Sequence, residues 1–422
     1  MALWPQLRSG RFALLLVTLG LCLVRARDQP SLDIGVGGTT ASVVPADLAL
    51  AALAVVALVT IARKGLPREL RAAGTAAALF CALLLASAAA NGSTAFVAGG
   101  KLVELAALAL GAAVLLETRD QLEAIADVLI LFTLVADSFG AVKFVTGGGG
   151  RQSSFLGEHD FAALATLPLL YGFALLYEGG RPRRAWLAIL AGALGCVLGA
   201  ALASLLGFYL GVAALVGHQS FLRRLTLRDL AATLAVVAAV TAGTLSIRAG
   251  DLGFLQSWFG KPPSRPGQYA AGWSQRLVYA YVGARVFVAH PLLGTGWWGE
   301  LPPQEFARYL PAARRRFSDQ PPSYFPPADR PLIPQQTYDQ ILYELGLAGG
   351  GLFLALLVAL ARAAVRAARS ATGVTGILPA AWLIAALGAI AGEGFFGGTP
   401  LAATFWLVAG VVVALSVRAA RE

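Results

Sequence analysis

Charge is scarce in this sequence. Only 13% of its 422 residues are charged and 57% are hydrophobic, whereas soluble globular chains carry about 25% charged residues. Mean hydropathy is +0.70. A water-soluble fold is excluded, because it would expose apolar surface on a scale that aggregates. Cysteine is nearly absent. Cys22, Cys81 and Cys196 all lie in apolar runs, so neither a disulfide framework nor a cysteine metal site is implied. No Asp-x-Asp motif and no His/Cys cluster occurs, so no metal and no cofactor is expected. No internal repeat is visible, and related halves are a common mark of transporters. The composition points to an all-α polytopic membrane protein. Its +10 net charge fits the gathering of Lys and Arg in cytoplasmic loops, and no nucleic acid is called for.

A crossing helix needs roughly 20 apolar residues at 1.5 Å each to span about 30 Å of hydrocarbon. Twelve such runs are read near 11–25, 45–63, 72–90, 95–116, 122–142, 161–178, 184–202, 204–218, 228–248, 336–361, 374–392 and 399–417. The pair at 184–218 also fits one long helix with a re-entrant piece. The first run has Arg8 and Arg11 before its apolar core, as a signal peptide would. Arg25 and Arg27 follow it directly with no small-x-small cleavage site, so it is kept as a helix. Alternate loops collect the basic residues: Arg63, Lys64, Arg68 and Arg71, then Arg119, then Arg181, Arg183 and Arg184, and finally Arg418 and Arg421. The opposite loops include the uncharged "ANGST" at 90–94 and "GGGGRQSSFLGEHD" at 147–160. Both termini are therefore expected in the cytoplasm, in a plasma or inner membrane. Arg25 and Arg27 are the exceptions to this alternation.

The chain divides into nine helices over 1–248, a long outer segment over 249–335, and three helices over 336–422. The outer segment is rich in Pro and aromatics and carries nine basic and five acidic residues. Loops this long are uncommon unless functional. Short helices are expected in it, with one near 273–290 whose apolar stripe is Trp273, Leu277, Ala280, Tyr281, Ala284 and Val288. Arg276 and Arg285 lie nine residues apart on it and so point to opposite sides. "RRR" at 314–316 reads as a solvated run.

The stretch "RLVYAYVGARVFVAHPLLGTGWW" resembles the O-antigen ligase and Wzy-type O-antigen polymerase group, GT-C-like membrane glycosyltransferases. Those proteins place an Arg, an amphipathic helix and "HPLLGVG" in a large periplasmic loop, followed by a helix opening "HNxYLxLLxELGLxG". Here Arg276 stands fourteen residues before His290, and "QQTYDQILYELG" at 335–346 aligns Tyr338, Glu344 and Gly346 in register. "GRQSSFLGEHDFAALATLPLL" at 150–170 resembles a further family segment, with Asp160 where Asn is usual. Two departures stand out. The family histidine falls on Gln335 and its following Asn on Gln336. The family's "SRG" is met only by "SLLG" at 204–207.

The resemblance implies transfer of a glycan from a polyprenyl-diphosphate donor to an acceptor hydroxyl on a lipid or glycan, outside the membrane. It implies surrounding membrane lipids and other polysaccharide-assembly proteins as partners. Such chemistry needs preorganised cations for the departing diphosphate and a general base within hydrogen-bond reach of the acceptor. Arg151 and Arg276 are the first candidates for the clamp, with Arg285 third. A glutamine at 335 is no base. Asp339, four residues on and about 40° around the helix, reaches roughly the same side, as catalytic group, acceptor ligand or helix-start carboxylate. His159 is the rival base. Tyr338, Glu344, Glu393 and His290 are candidate substrate contacts; Glu344 also suits a structural hydrogen bond, and His290 a helix-ending role. Lys101 and Glu104, three residues apart, are expected to pair on one helix face. Asp137 is expected to meet Lys143 or an arginine. The competing readings are a transporter or flippase of lipid-linked glycans or other solutes, and a scaffold for cell-wall assembly.

Overall fold

The computed structural model describes residues 9–147, 149–179, 181–221, 225–249, 270–299, 301–329, 336–370 and 374–420. Its helices are α1 Gly10–Cys22, α2 Pro45–Lys64, α3 Arg68–Ala90, α4 Ser93–Val103, α5 Ala106–Leu115, α6 Arg119–Thr146, α7 Glu158–Glu178, α8 Pro182–Gly199, α9 Leu202–Phe221, α10 Leu227–Ile247 and α11 Ala270–Ala289. Two short helices, α12 Pro303–Phe306 and α13 Leu310–Arg316, precede α14 Thr337–Ser370, α15 Val374–Ile390 and α16 Pro400–Ala419. Among the described residues eight helices are long and apolar enough to cross a membrane, counting α4 and α5 as one. Three more apolar helices, Gly10–Cys22, Leu202–His218 and Gly376–Ile390, are shorter. This fits an all-α polytopic membrane protein. Each of the twelve apolar runs is helical, and the run at 184–218 is two helices parted at Ala200, whose φ is 45°.

Local chemistry sets many of these ends. Thr118 and Thr226 cap α6 and α10, each with Gln or Asp three residues on closing a capping box, which satisfies otherwise orphaned N–H groups. α7 and α16 are almost wholly buried and form the centre of the bundle. α7 and α8 cross closely because Gly192 lacks a side chain; a Cβ there would lie 2.6 Å from the Ala165 carbonyl oxygen, the small-residue contact that lets membrane helices approach.

Two expectations are corrected, and one feature lay outside the sequence reading. A β-hairpin, β1 Leu32–Val36 with β2 Thr39–Val43, follows α1; Gly37 and Gly38 both take positive φ at its turn, as a two-residue hairpin loop requires. On α11 the buried stripe is Val278, Val282 and Val286, while Leu277 is 50% and Val288 75% exposed. That helix is apolar on more than one side, so its periodicity did not select the face the loop covers. The three valines join Phe306, Leu310, Phe325 and, from α14, Tyr343 in a small core separate from that of the bundle. Asp137 meets neither Lys143 nor an arginine: its oxygens have no hydrogen-bond partner, and Lys143 donates to the Ser154 carbonyl. The Arg314–Arg316 run is exposed.

At one end of the bundle, buried Glu123 receives Arg119, Arg181 and Arg184, and Arg184 also reaches Asp127 at 2.7 Å. Buried charges are tolerated when paired in this way. Lys101 pairs with Asp47 as well as lying 3.8 Å from Glu104.

Candidate functional site

The opposite end of the bundle is organised by one carboxylate. Gly157 precedes α7 with φ of 109°, and the Arg25 guanidinium lies across it, so that a Cβ there would sit 1.6 Å from Arg25 Nη2. Arg25 donates to Asp160 Oδ2 at 2.6 Å, and the Leu401 N–H at the start of α16 donates to Oδ1 at 2.8 Å. Asp160 is fully buried. It fastens the end of α1, the first turn of α7 and the start of α16 together, and so fixes where Glu158 and His159 sit.

Around that hub stand three further arginines. Arg151 bonds Glu158 at 2.7 Å and donates through Nε to the Gly199 carbonyl. Arg248, at the end of α10, donates to the Ala200 carbonyl at 3.1 Å. The two sites on the α8–α9 break are thus occupied by two cations. Arg276 on α11 donates to the Gly392 carbonyl at 3.0 Å, and among the described residues it makes no ion pair. Arg151, Arg248 and Arg276 all act electrostatically on His159, whose Nδ1 is buried without a hydrogen-bond partner. Burial and the nearby Arg248 push the Arg276 pKa down, and Glu393 pulls it up. A half-buried guanidinium with neighbouring cations and no carboxylate on it is a ready anion site.

Arg276 also lines a cavity of about 120 Å³ between α11 and α14. Tyr279, Gly283 and Phe287 form one wall; Gln336, Asp339 and Tyr343 form the other. Asp339 therefore shares a partly open cavity with Arg276. Gln335 lies outside the described residues. Glu344 does not line this cavity: it is buried and accepts from Gln340 at 3.3 Å. Tyr338 donates its hydroxyl to the Leu387 carbonyl. Arg285 is exposed and folded over Tyr281, and His290 bonds Glu305 at 2.9 Å inside the outer segment.

Two devices hold α14 in place. The residues between α15 and α16 are bonded to its first turn, with Thr337 donating to the Glu393 carbonyl and Phe395 N–H to the Gln340 side chain. One turn deeper, Gly346 takes φ 59° and ψ −155° and opens the helix. The "HPLLGTG" turn fills the break: Thr295 and Gly296 N–H donate to the Tyr343 and Glu344 carbonyls, and Leu347 and Ala348 N–H to those of Pro291 and Leu292. A Cβ on Gly346 would meet the Leu292 carbonyl carbon at 2.6 Å. The motif is a backbone plug that positions the Asp339 half of α14.

Glu393 stands beside the hub, near Asp160, Arg25 and Arg276. Burial raises its pKa to about 7, Asp160 adds to the rise, and the two arginines oppose it. With the ordinary value at 4.5, the folded protein binds more protons than the unfolded chain between pH 4.5 and about 7. Stability is expected to fall as pH rises through that window and to level off above it. Glu393→Gln should flatten this slope, as read from thermal unfolding in detergent over pH 4 to 8; an unchanged slope would remove Glu393 as its source.

Sequence reasoning missed Arg248 and the partnership of Arg25. Arg25 did leave a signal, as a break in the charge alternation. No protein-family model matches the chain, and no curated protein matches it.

Proposed function

We propose that this protein is a membrane glycosyltransferase that moves a glycan from a polyprenyl-diphosphate donor to an acceptor hydroxyl. In this reading all twelve helical runs cross the plasma membrane. Both termini and the Glu123 network are cytoplasmic, and residues 249–335 lie outside. The observation that carries the proposal is Arg276, half-buried, unpaired among the described residues, close to Arg248, and sharing a cavity with Asp339.

The acceptor oxygen attacks the anomeric carbon, the bond from that carbon to the diphosphate oxygen breaks, and the acceptor proton passes to a base. The lipid keeps the diphosphate. Charge grows on the leaving oxygen, where fixed cations stabilise the transition state more than the ground state. Arg276 lines the cavity suited to that oxygen, and Arg248 and Arg151 join it in acting on His159. Asp339 is the base in this reading, since it is the carboxylate sharing Arg276's cavity. His159 sits among three guanidiniums, a setting suited to a hydrogen bond with phosphate.

Asp339→Asn is expected to lower transfer at least tenfold with folding intact, in line with loss of a general base. A fully active variant would remove Asp339 from the chemistry. The decisive assay incubates purified protein with a lipid-linked oligosaccharide. A ladder of lengths indicates a polymerase and a single transfer a ligase. Absence of turnover together with uptake into liposomes would overturn the proposal in favour of transport.

A further inference from the structure

α2 and α3 are joined by only three residues, 65–67, yet they do not pack together; α2 packs on α5, and α3 on α14. Consecutive helices with so short a link normally lie side by side. Here they splay, and the gap is an apolar groove of about 420 Å³. Its lining includes Ala54 of α2, Gly74 and Ala78 of α3, Leu356 of α14 and Trp406 of α16. Along α4 and α5 it runs from Glu104 to Ala113, about 15 Å at 1.5 Å per residue. That is half of a hydrocarbon core about 30 Å thick, the depth of one leaflet.

At Ala113 the groove meets a second cavity, of about 470 Å³, at the Glu123-network end of the bundle. Its wall carries Lys64, Glu117, Arg119 and Arg418, and exposed Arg63 and Arg68 flank the same turn. Lys64 is bonded to Glu117 at 2.6 Å, but both side chains are more than half exposed, and exposed pairs of this kind hold weakly. Arg119 is engaged by Glu123 and Glu178. A basic chamber adjoining, at Ala113, an apolar groove one leaflet deep has the polarity and length of a single lipid. Both volumes fall in the range of about 300–1,000 Å³ usual for ligand sites.

We propose that the α2–α3 gap is a site for one anionic glycerophospholipid, its phosphate at Lys64 and Arg418 and its acyl chains against Gly74, Ala78 and Trp406. Basic residues beside a membrane favour anionic headgroups. The site is separate from the Arg276 cavity and independent of the glycosyltransferase reading.

The test is native mass spectrometry of the full-length protein released from nanodiscs of equal phosphatidylglycerol and phosphatidylcholine. One phosphatidylglycerol per chain is expected, favoured at least tenfold over phosphatidylcholine. Gly74→Leu should lower its retention at least tenfold. A Cβ on Gly74 would have nothing nearer than 3.9 Å, so the added bulk enters the groove; Ala78→Leu, at an exposed position, gives a second blocking variant. Lys64→Gln should reduce the preference at least threefold without altering the total lipid bound. Equal retention of the two lipids by the wild type would overturn the proposal. So would retention unchanged in both blocking variants, or displacement of phosphatidylglycerol by added polyprenyl phosphate.

Discussion

Arg276→Ala is expected to lower glycan transfer at least a hundredfold and to leave the protein folded. Arg276 is half-buried and reaches one backbone carbonyl, that of Gly392, so truncation removes one hydrogen bond and no ion pair among the described residues. Arg248 repels it while Glu393 attracts it, so the two opposed influences leave the folded state little dependent on its charge. Removing one preorganised donor to a developing oxyanion lowers rates about 10²–10³-fold. Arg276→Lys should recover only part of the loss, because an ammonium keeps the charge without the planar fork. Turnover of a lipid-linked oligosaccharide measures the first effect and size-exclusion of the purified variant the second. A soluble, monodisperse Arg276→Ala protein with wild-type turnover would place the leaving group elsewhere.

Asp160→Ala is expected to be the most damaging single change to stability. It strands the Arg25 guanidinium, whose side chain is 18% exposed, and leaves the Leu401 N–H without its acceptor. Taking one partner from a buried ion pair costs about 3–5 kcal/mol. Arg25→Ala should be similarly damaging, because Asp160 is wholly buried and would remain without a cation. The double change Arg25→Ala/Asp160→Ala should destabilise by less than the sum of the single changes, since residues in contact do not add. Thermal unfolding in detergent provides the comparison. Additive losses would mean that the two residues act separately, contrary to the 2.6 Å bond between them.

Much of the architecture was legible in hydrophobic runs, because a helix in hydrocarbon must satisfy its backbone internally and declares itself by length. The hairpin at 32–43 was not, being short and hidden among loop residues. On α11 the sequence offered two apolar faces, and only the loop core of Phe306, Leu310 and Phe325 selects Val278, Val282 and Val286. The candidate site was legible in part. Arg151 and Arg276 stand in recognisable motifs, and the sequence offered Asp339 as a candidate catalytic group and Glu344 as a structural hydrogen-bonding one. Arg248 carries no local signal: it closes a helix, and its relation to Arg276 exists only after α10 and α11 have been arranged. Gly346 was read as a point of alignment, whereas its backbone angles break the helix and admit the "HPLLGTG" turn. Nothing in "YELGLAG" announces a break, because the partner that fills it lies fifty residues earlier.

The position of Asp160 has a bearing on biosynthesis. A ribosome delivers Arg25 first, Asp160 135 residues later and Leu401 last of the three. Until α16 has entered the membrane, Asp160 lacks one of its two partners, and the segment carrying Gly392 and Glu393 has no second anchor. A nascent chain that stops before α16 would contain Arg25, Arg151, Arg248 and Arg276 and still lack the frame that gathers them. The Asp160 frame is therefore complete only once α16 has been made and has joined the bundle.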